Sequence, residues 1–133
     1  LSKCLADCIA HKPSGNDPFV IDGDEFREIF NNKDYSRKGR KENIKKANTI
    51  ATYLHKTYIE NDIILALVNP YESLRDELRA DNDQVTEVLL KSNRKLKKEY
   101  HVEDFEDGTP SYVMNTDRSV EESWSELREV LVL

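Results

Sequence analysis

Six consecutive apolar residues, Ile63 to Val68, stopped abruptly by Asn69 and Pro70, constrain the fold more than any other stretch of the chain. A run this short and this continuous has no polar side to offer water, so it is expected to be a strand buried on both faces, as in a parallel sheet with helices above and below. The segments around it agree. From Gly39 to about Glu60, the residues Ile44, Ala47, Ile50, Ala51, Leu54 and Tyr58 recur at three and four, which predicts a long amphipathic helix. Phe19, Val20 and Ile21 form a second apolar run that breaks into Asp22, Gly23 and Asp24, a strand delivering carboxylates to its C-terminal end.

Helical spacing of Leu1, Cys4, Leu5, Cys8 and Ile9 predicts an opening helix that ends at Pro13, Ser14 and Gly15. The segment from Tyr71 to Ala80 is helix-prone, Val85 to Leu90 leans to β, and Tyr112 to Met114 is a last short strand. Ser119 and Glu122 have capping-box spacing, ahead of a final helix with Val120, Trp124, Leu127 and Leu131 as its apolar face. Helices alternating with strands give an α/β fold, a parallel sheet with helices on both faces.

One domain and one core are expected of 133 residues. With 38% hydrophobic and 35% charged residues, and no apolar run near the roughly 20 residues of a membrane span, a membrane protein is not expected. No secretory leader pattern opens the chain, so a cytoplasmic location is expected. Cys4 and Cys8 have no second Cys or His cluster nearby, and read as small core residues rather than zinc ligands. A net charge of −6 disfavours nonspecific nucleic-acid binding. Locally, Lys91, Arg94, Lys95, Lys97 and Lys98 form a basic cluster, readable as a solvated face or as a lid over phosphates.

Ligands of open α/β sheets bind beyond the carboxyl ends of the strands. The loops there carry DGDEFR from Asp22, NPYESLR from Asn69, the basic cluster, and NTDRS from Asn115. Asp22 and Asp24 could hold Mg²⁺ through water or accept a hydroxyl proton, and Arg27 could fork onto an anion. A plain turn with a helix N-cap explains the DGD equally well. Arg40, Asn43 and Lys46 fall close to one helix face, which by itself is ordinary solvated charge.

In order, DGDEFR, the pair Tyr35-Ser36, RKENIKK, NPYESLRDELR and the closing SVEESWSEL resemble the adenylylsulfate kinase family. There the pieces run DGD-x-x-R, Phe-Ser, D-R-x-x-N-I-R-R and I-S-P-Y-R-x-x-R-D. The resemblance covers nearly the whole chain and implies a three-layer P-loop kinase that moves the γ-phosphoryl of MgATP to the 3′-hydroxyl of adenosine 5′-phosphosulfate, in sulfate activation. It implies that Asp22 orients or deprotonates that hydroxyl and helps organise Mg²⁺, with Asp24 beside it among the substrate-binding residues. Arg27 and Arg40 would hold the phosphosulfate, Asn43 the nucleoside, and Tyr35 would stack on adenine where the family has Phe. Asn69, Pro70 and Tyr71 would line the same pocket. Residues 91–106 would form a lid, with Arg94, Lys95 and Lys97 over ATP phosphates and Tyr100 or Phe105 as a second adenine-stacking ring. Nucleotides are the implied partners, and the resemblance admits a homodimer although no apolar face demands one.

Several positions depart from the family. Asn69 replaces Ser, Glu72 replaces an Arg, and the basic segment is altered. These changes leave open another hydroxyl acceptor, whether a nucleotide, a nucleobase or a polynucleotide end, or a module that binds nucleotide without catalysis. The phosphate-loop sequence G-x-x-x-x-G-K followed by Ser or Thr does not occur in residues 1–133. The single domain is therefore expected to be N-terminally incomplete, its first strand and phosphate loop lying before Leu1.

Overall fold

The computed structural model describes residues 1–12, 16–93, 102 and 104–133. Strand β1 (Phe19–Asp22) and strand β2 (Ile63–Ala66) run parallel in the register Phe19↔Ile63 to Asp22↔Ala66. This puts Asp22 level with the last residue of β2. Between them the chain forms α2 (Gly23–Ile29) and α3 (Arg37–Thr57). Phe26, Ala47 and Ala51 pack with Ile21 in one cluster, which Ile63, Leu65 and Leu67 complete from the strand side. The two alanines let the helix backbone approach the strands closely. Helix α1 (Ser2–Ala10) also packs on β1 and β2.

A second parallel pair, β3 (Val88–Lys91) and β4 (Tyr112–Asn115), is in the register Val88↔Tyr112 to Lys91↔Asn115. The parallel pairing expected from the alternating pattern is thus present, as two parallel pairs among the described residues. Among the described residues β2 has β1 as its one hydrogen-bonded neighbour. Its four residues are consequently half-buried, where full burial on both faces was predicted.

Other boundaries moved for local reasons. The apolar run stops being strand at Ala66, and Val68 is 60% exposed. Helix α3 starts two residues earlier than its periodicity suggests because Ser36 caps it, its Oγ accepting from Gly39 N at 3.3 Å. Helix α2 is too short for periodicity to reveal. In α5 (Val120–Val130) the capping interaction forms, Glu122 N donating to Ser119 Oγ at 3.1 Å, but the buried side is Ser123 and Leu127 while Val120 is exposed. Cys4 and Cys8 are free and half-buried.

Helix α4 (Glu72–Asp81) packs on α3 through Ile44, Tyr71 and Leu74. This small cluster lies directly beneath the loop leaving β2, and Ile44 is 1% exposed. Ile44→Ala should therefore cost about 2–5 kcal/mol, read as a lower urea midpoint with an unchanged slope. A loss below about 0.5 kcal/mol would mean that the cluster is not packed as described.

Candidate functional site

The carboxyl ends of β1 and β2 meet the N-terminal half of α3. Asp22 ends β1 and caps α2, its Oδ1 accepting from Asp24 N at 2.9 Å and Glu25 N at 3.2 Å. The cap interpretation of the DGD is thus realised, and it uses one carboxylate oxygen. Oδ2 makes no hydrogen bond among the described residues. Gly23 permits this turn: a Cβ there would lie 2.8 Å from Leu67 Cβ, so β1 and β2 exit side by side only with glycine at this point. Asp24 faces solvent. No group of three or more His, Cys, Asp or Glu able to hold a metal is formed among the described residues.

Arg27 is committed to the loop leading into α3. Its Nη1 donates to Asn32 Oδ1 and Asp34 O, both at 3.1 Å, and to Asn32 O at 3.3 Å, while its Cζ lies 4.1 Å from the centre of the Tyr35 ring. Asn32, which the sequence did not single out, closes the loop by accepting from Asp34 N at 3.0 Å and donating to Gly39 O at 3.0 Å. Arg40 is 9% exposed and donates from Nε to Tyr35 O at 2.8 Å. The two arginines thus hold the Tyr35 backbone and ring from opposite ends.

Asn43, 5% exposed, keeps its Oδ1 without a hydrogen-bond partner, a buried acceptor that would gain from a donor. Lys46, expected near the same face, instead points outward over Phe30 at 4.9 Å. The 60° drift between i+3 and i+6 on a 3.6-residue helix accounts for the separation.

Asp34 shows the electrostatics of the loop. Hydrogen bonds from the Ser36 side chain and then its backbone N–H, at 2.9 Å to Oδ1, hold its carboxyl below the usual carboxylate range, and Arg27 and Lys38 add to this. A folded-state value below the unfolded one contributes stability above the unfolded pKa of about 3.9, which is lost as pH falls through the folded value. Asp34→Asn should accordingly flatten the acid limb of a urea-midpoint profile between about pH 5 and pH 2. An unchanged profile would contradict the link.

The loop after β2 is shaped by Asn69, whose Oδ1 accepts from Tyr71 N at 3.2 Å. Pro70 is fully buried, and Tyr71 is buried with Arg37 Cζ and Lys41 Nζ at 5.1 and 5.2 Å from its ring centre. Neither of these cations was singled out in the sequence. Phe105 lies at the same loop, but its ring stacks on Arg75, with Cζ 5.6 Å from its centre. Arg94, Lys95, Lys97 and Tyr100 lie outside the described residues.

Asp22, Arg40, Asn43 and Asn69 to Tyr71 therefore come from β1, α3 and the loop after β2, at one end of the β1–β2 pair. The sequence profile of the adenylylsulphate kinase family matches residues 4–104. The chain belongs to the adenylylsulphate kinase family. No curated protein sequence matches it. In structure it is similar to the Mycobacterium tuberculosis APS kinase CysC in complex with AMPPNP and APS, with a TM-score of 0.73 at 19% identity over 99% of this chain and 88% of that one. A cysteine-to-alanine mutant of CysC gives a TM-score of 0.62 at 21% identity over 99% and 89%. The fold is that of P-loop NTPases, and as an adenylylsulphate kinase family member the chain is a kinase-type phosphotransferase. No described helix is long and apolar enough to cross a membrane.

Proposed function

We propose that residues 1–133 form the acceptor side of a single kinase domain that phosphorylates the 3′-hydroxyl of adenosine 5′-phosphosulfate with ATP. The observation that carries this is the placement of Asp22 level with the end of β2, two residues short of the Asn69–Tyr71 loop, with buried Arg40 and Asn43 on the adjoining helix. Family membership and the likeness to an enzyme solved with AMPPNP and APS support it.

Asp22 Oδ2 accepts the acceptor's hydroxyl proton or orients it for in-line attack. Phosphoryl transfer needs little covalent help and is catalysed mostly by position and charge. Tyr35 stacks on the nucleobase, and the unmet Oδ1 of Asn43 takes a nucleoside N–H or O–H. Arg40 and the remaining donors of Arg27, Nη2 and Nε, meet the phosphosulfate. The donor set fits Mg²⁺, which keeps its waters and takes one or two carboxylates together with phosphates. Asp22 would hold it through water, and Mg²⁺ would neutralise charge on the transferring phosphates. Asp24 supports the turn. Binding of ATP requires a phosphate loop, and the assignments from Asp22 to Tyr71 concern the acceptor. Arg94, Lys95 and Lys97, with Tyr100 or Phe105, remain assigned to the nucleotide side; Phe105 would have to leave Arg75 to stack on adenine.

One observation favours a different acceptor hydroxyl. Glu72, in place of the family's Arg, sits beside Glu106, whose Oε1 accepts from Glu72 N at 2.8 Å. Two carboxylates at this loop oppose a multiply charged acceptor. Calorimetric titration tests the phosphosulfate reading at Arg40: Arg40→Ala should weaken phosphosulfate binding by about tenfold or more. Equal affinity in the two proteins would remove Arg40 from the site.

A further inference from the structure

Arg75 was not among the residues expected at the site, yet it uses every face of its guanidinium there. Nη1 donates to Asn69 O at 2.7 Å, Nη2 donates to Glu106 O, and Nε pairs with Glu87 Oε1 at 2.7 Å. Its side chain is 11% exposed, and the Phe105 ring covers it. An arginine held within the protein through each of its three nitrogens, at 11% side-chain exposure, is built for holding the chain rather than for reaching an anion. It is a tie between three segments: the loop leaving β2, the residue preceding β3, and the stretch Phe105–Thr109 that follows the basic segment.

That stretch is strapped across the start of α4 by further bonds. Glu106 N donates to Pro70 O at 3.0 Å, and Glu106 Oε1 accepts from Glu72 N. Arg79 Nη2 donates to Thr109 O at 3.3 Å, and Lys91 Nζ pairs with Asp107 Oδ2 at 2.6 Å. Gly108 has φ +62, which favours glycine, and a Cβ there would lie 2.9 Å from Arg75 Nη2, so a side chain would displace the guanidinium. The carbonyls of Asn69 and Pro70, two consecutive residues of the acceptor loop, are therefore fixed by Arg75 and by the strap residue Glu106 respectively.

We propose that Arg75 is a positioning residue that sets acceptor affinity by holding the Phe105–Thr109 strap against the Asn69–Tyr71 loop. This rests on the acceptor reading above. Its consequence is that the strap and the acceptor pocket are mechanically linked: a displacement of Phe105–Thr109 shifts the backbone of Asn69–Tyr71. Loss of Arg75 leaves Glu87 paired with Arg79, so no carboxylate is stranded.

The test compares the full-length wild type with Arg75→Met, Arg75→Lys and Glu106→Ala by amide exchange and steady-state kinetics. In Arg75→Met the amides of Tyr71, Glu72 and Glu106 should exchange faster together. The KM for adenosine 5′-phosphosulfate should rise about tenfold with kcat within about twofold, because the pocket is misplaced until filled. Arg75→Lys, which restores charge and one donor direction, should recover part of the KM. Glu106→Ala should give a smaller rise of the same sign, and these two variants carry the test should Arg75→Met not fold. Unchanged exchange overturns the inference, as does faster exchange with a wild-type KM, or a fall in kcat at constant KM. A wild type that does not phosphorylate the phosphosulfate would sink the acceptor reading instead. Joint exchange of the three amides would then still decide the anchoring, and KM would be read on the hydroxyl acceptor that the protein does use.

Discussion

Asp22→Asn is expected to lower turnover by about 10²–10⁴-fold, the range that removal of a positioned proton acceptor produces, while leaving the fold unchanged. The two effects separate because the two oxygens of this carboxylate have different duties. Oδ1 caps α2 through Asp24 N and Glu25 N, and an asparagine caps a helix about as well as an aspartate. Oδ2 is the proton acceptor in the proposed mechanism, and the amide would remove its charge and basicity. The urea midpoint should stay within the error of the wild type. Asp22→Ala is the informative companion: it should add a cap loss of about 1 kcal/mol to the same loss of turnover. An Asp22→Asn protein that turns over normally would show that the DGD is only a turn.

Gly39→Ala should be the most damaging small substitution near the site. A Cβ at this position would overlap Asp34 O, Cγ and Cβ. One of these is a backbone atom, so a rotamer change cannot relieve the clash. The loop that Asn32 closes onto Gly39 O would have to move, and it carries Tyr35, the anchor for Arg40. Overpacking of this kind costs about 1–3 kcal/mol, more than the ~0.5–1 kcal/mol that alanine returns by helix propensity. Stability and acceptor affinity should therefore fall together, in urea denaturation and in titration. Wild-type stability would mean that residues 32–36 do not pack against the first turn of α3.

How much of this was legible in the sequence follows from the range of each interaction. Strands at Phe19 and Ile63, the long helix through Ile44 and Ala51, and the Ser119–Glu122 cap are written in neighbouring residues, and pattern alone recovers them. The position of Asp22 at a strand end is of the same kind. The Arg27–Asn32–Gly39 closure is not: Asn32 has no motif around it, and its value lies in facing two backbone groups of a loop whose path is set by tertiary packing. Arg75 and the strap are further from view, since the contact of Arg75 with Glu106 spans 31 residues and joins two loops. The depth of burial of β2 was over-read for a related reason. Six apolar residues at Ile63–Val68 report that burial is wanted there, but not which neighbour supplies it, and in the described residues β2 pairs on one edge with β1. Likewise Val120 matched the period of α5 but lies at its first turn, where the helix has left the surface it covers.

Transfer of label from γ-labelled ATP by the full-length protein, with adenosine 5′-phosphosulfate set beside a panel of hydroxylated nucleotides and a polynucleotide end, tests the central claim most directly. The account predicts label at the 3′-hydroxyl of the phosphosulfate in preference to every other acceptor, and its loss in Asp22→Asn. Label on a different acceptor with the phosphosulfate untouched, or no transfer to any acceptor by protein that binds ATP, would contradict it.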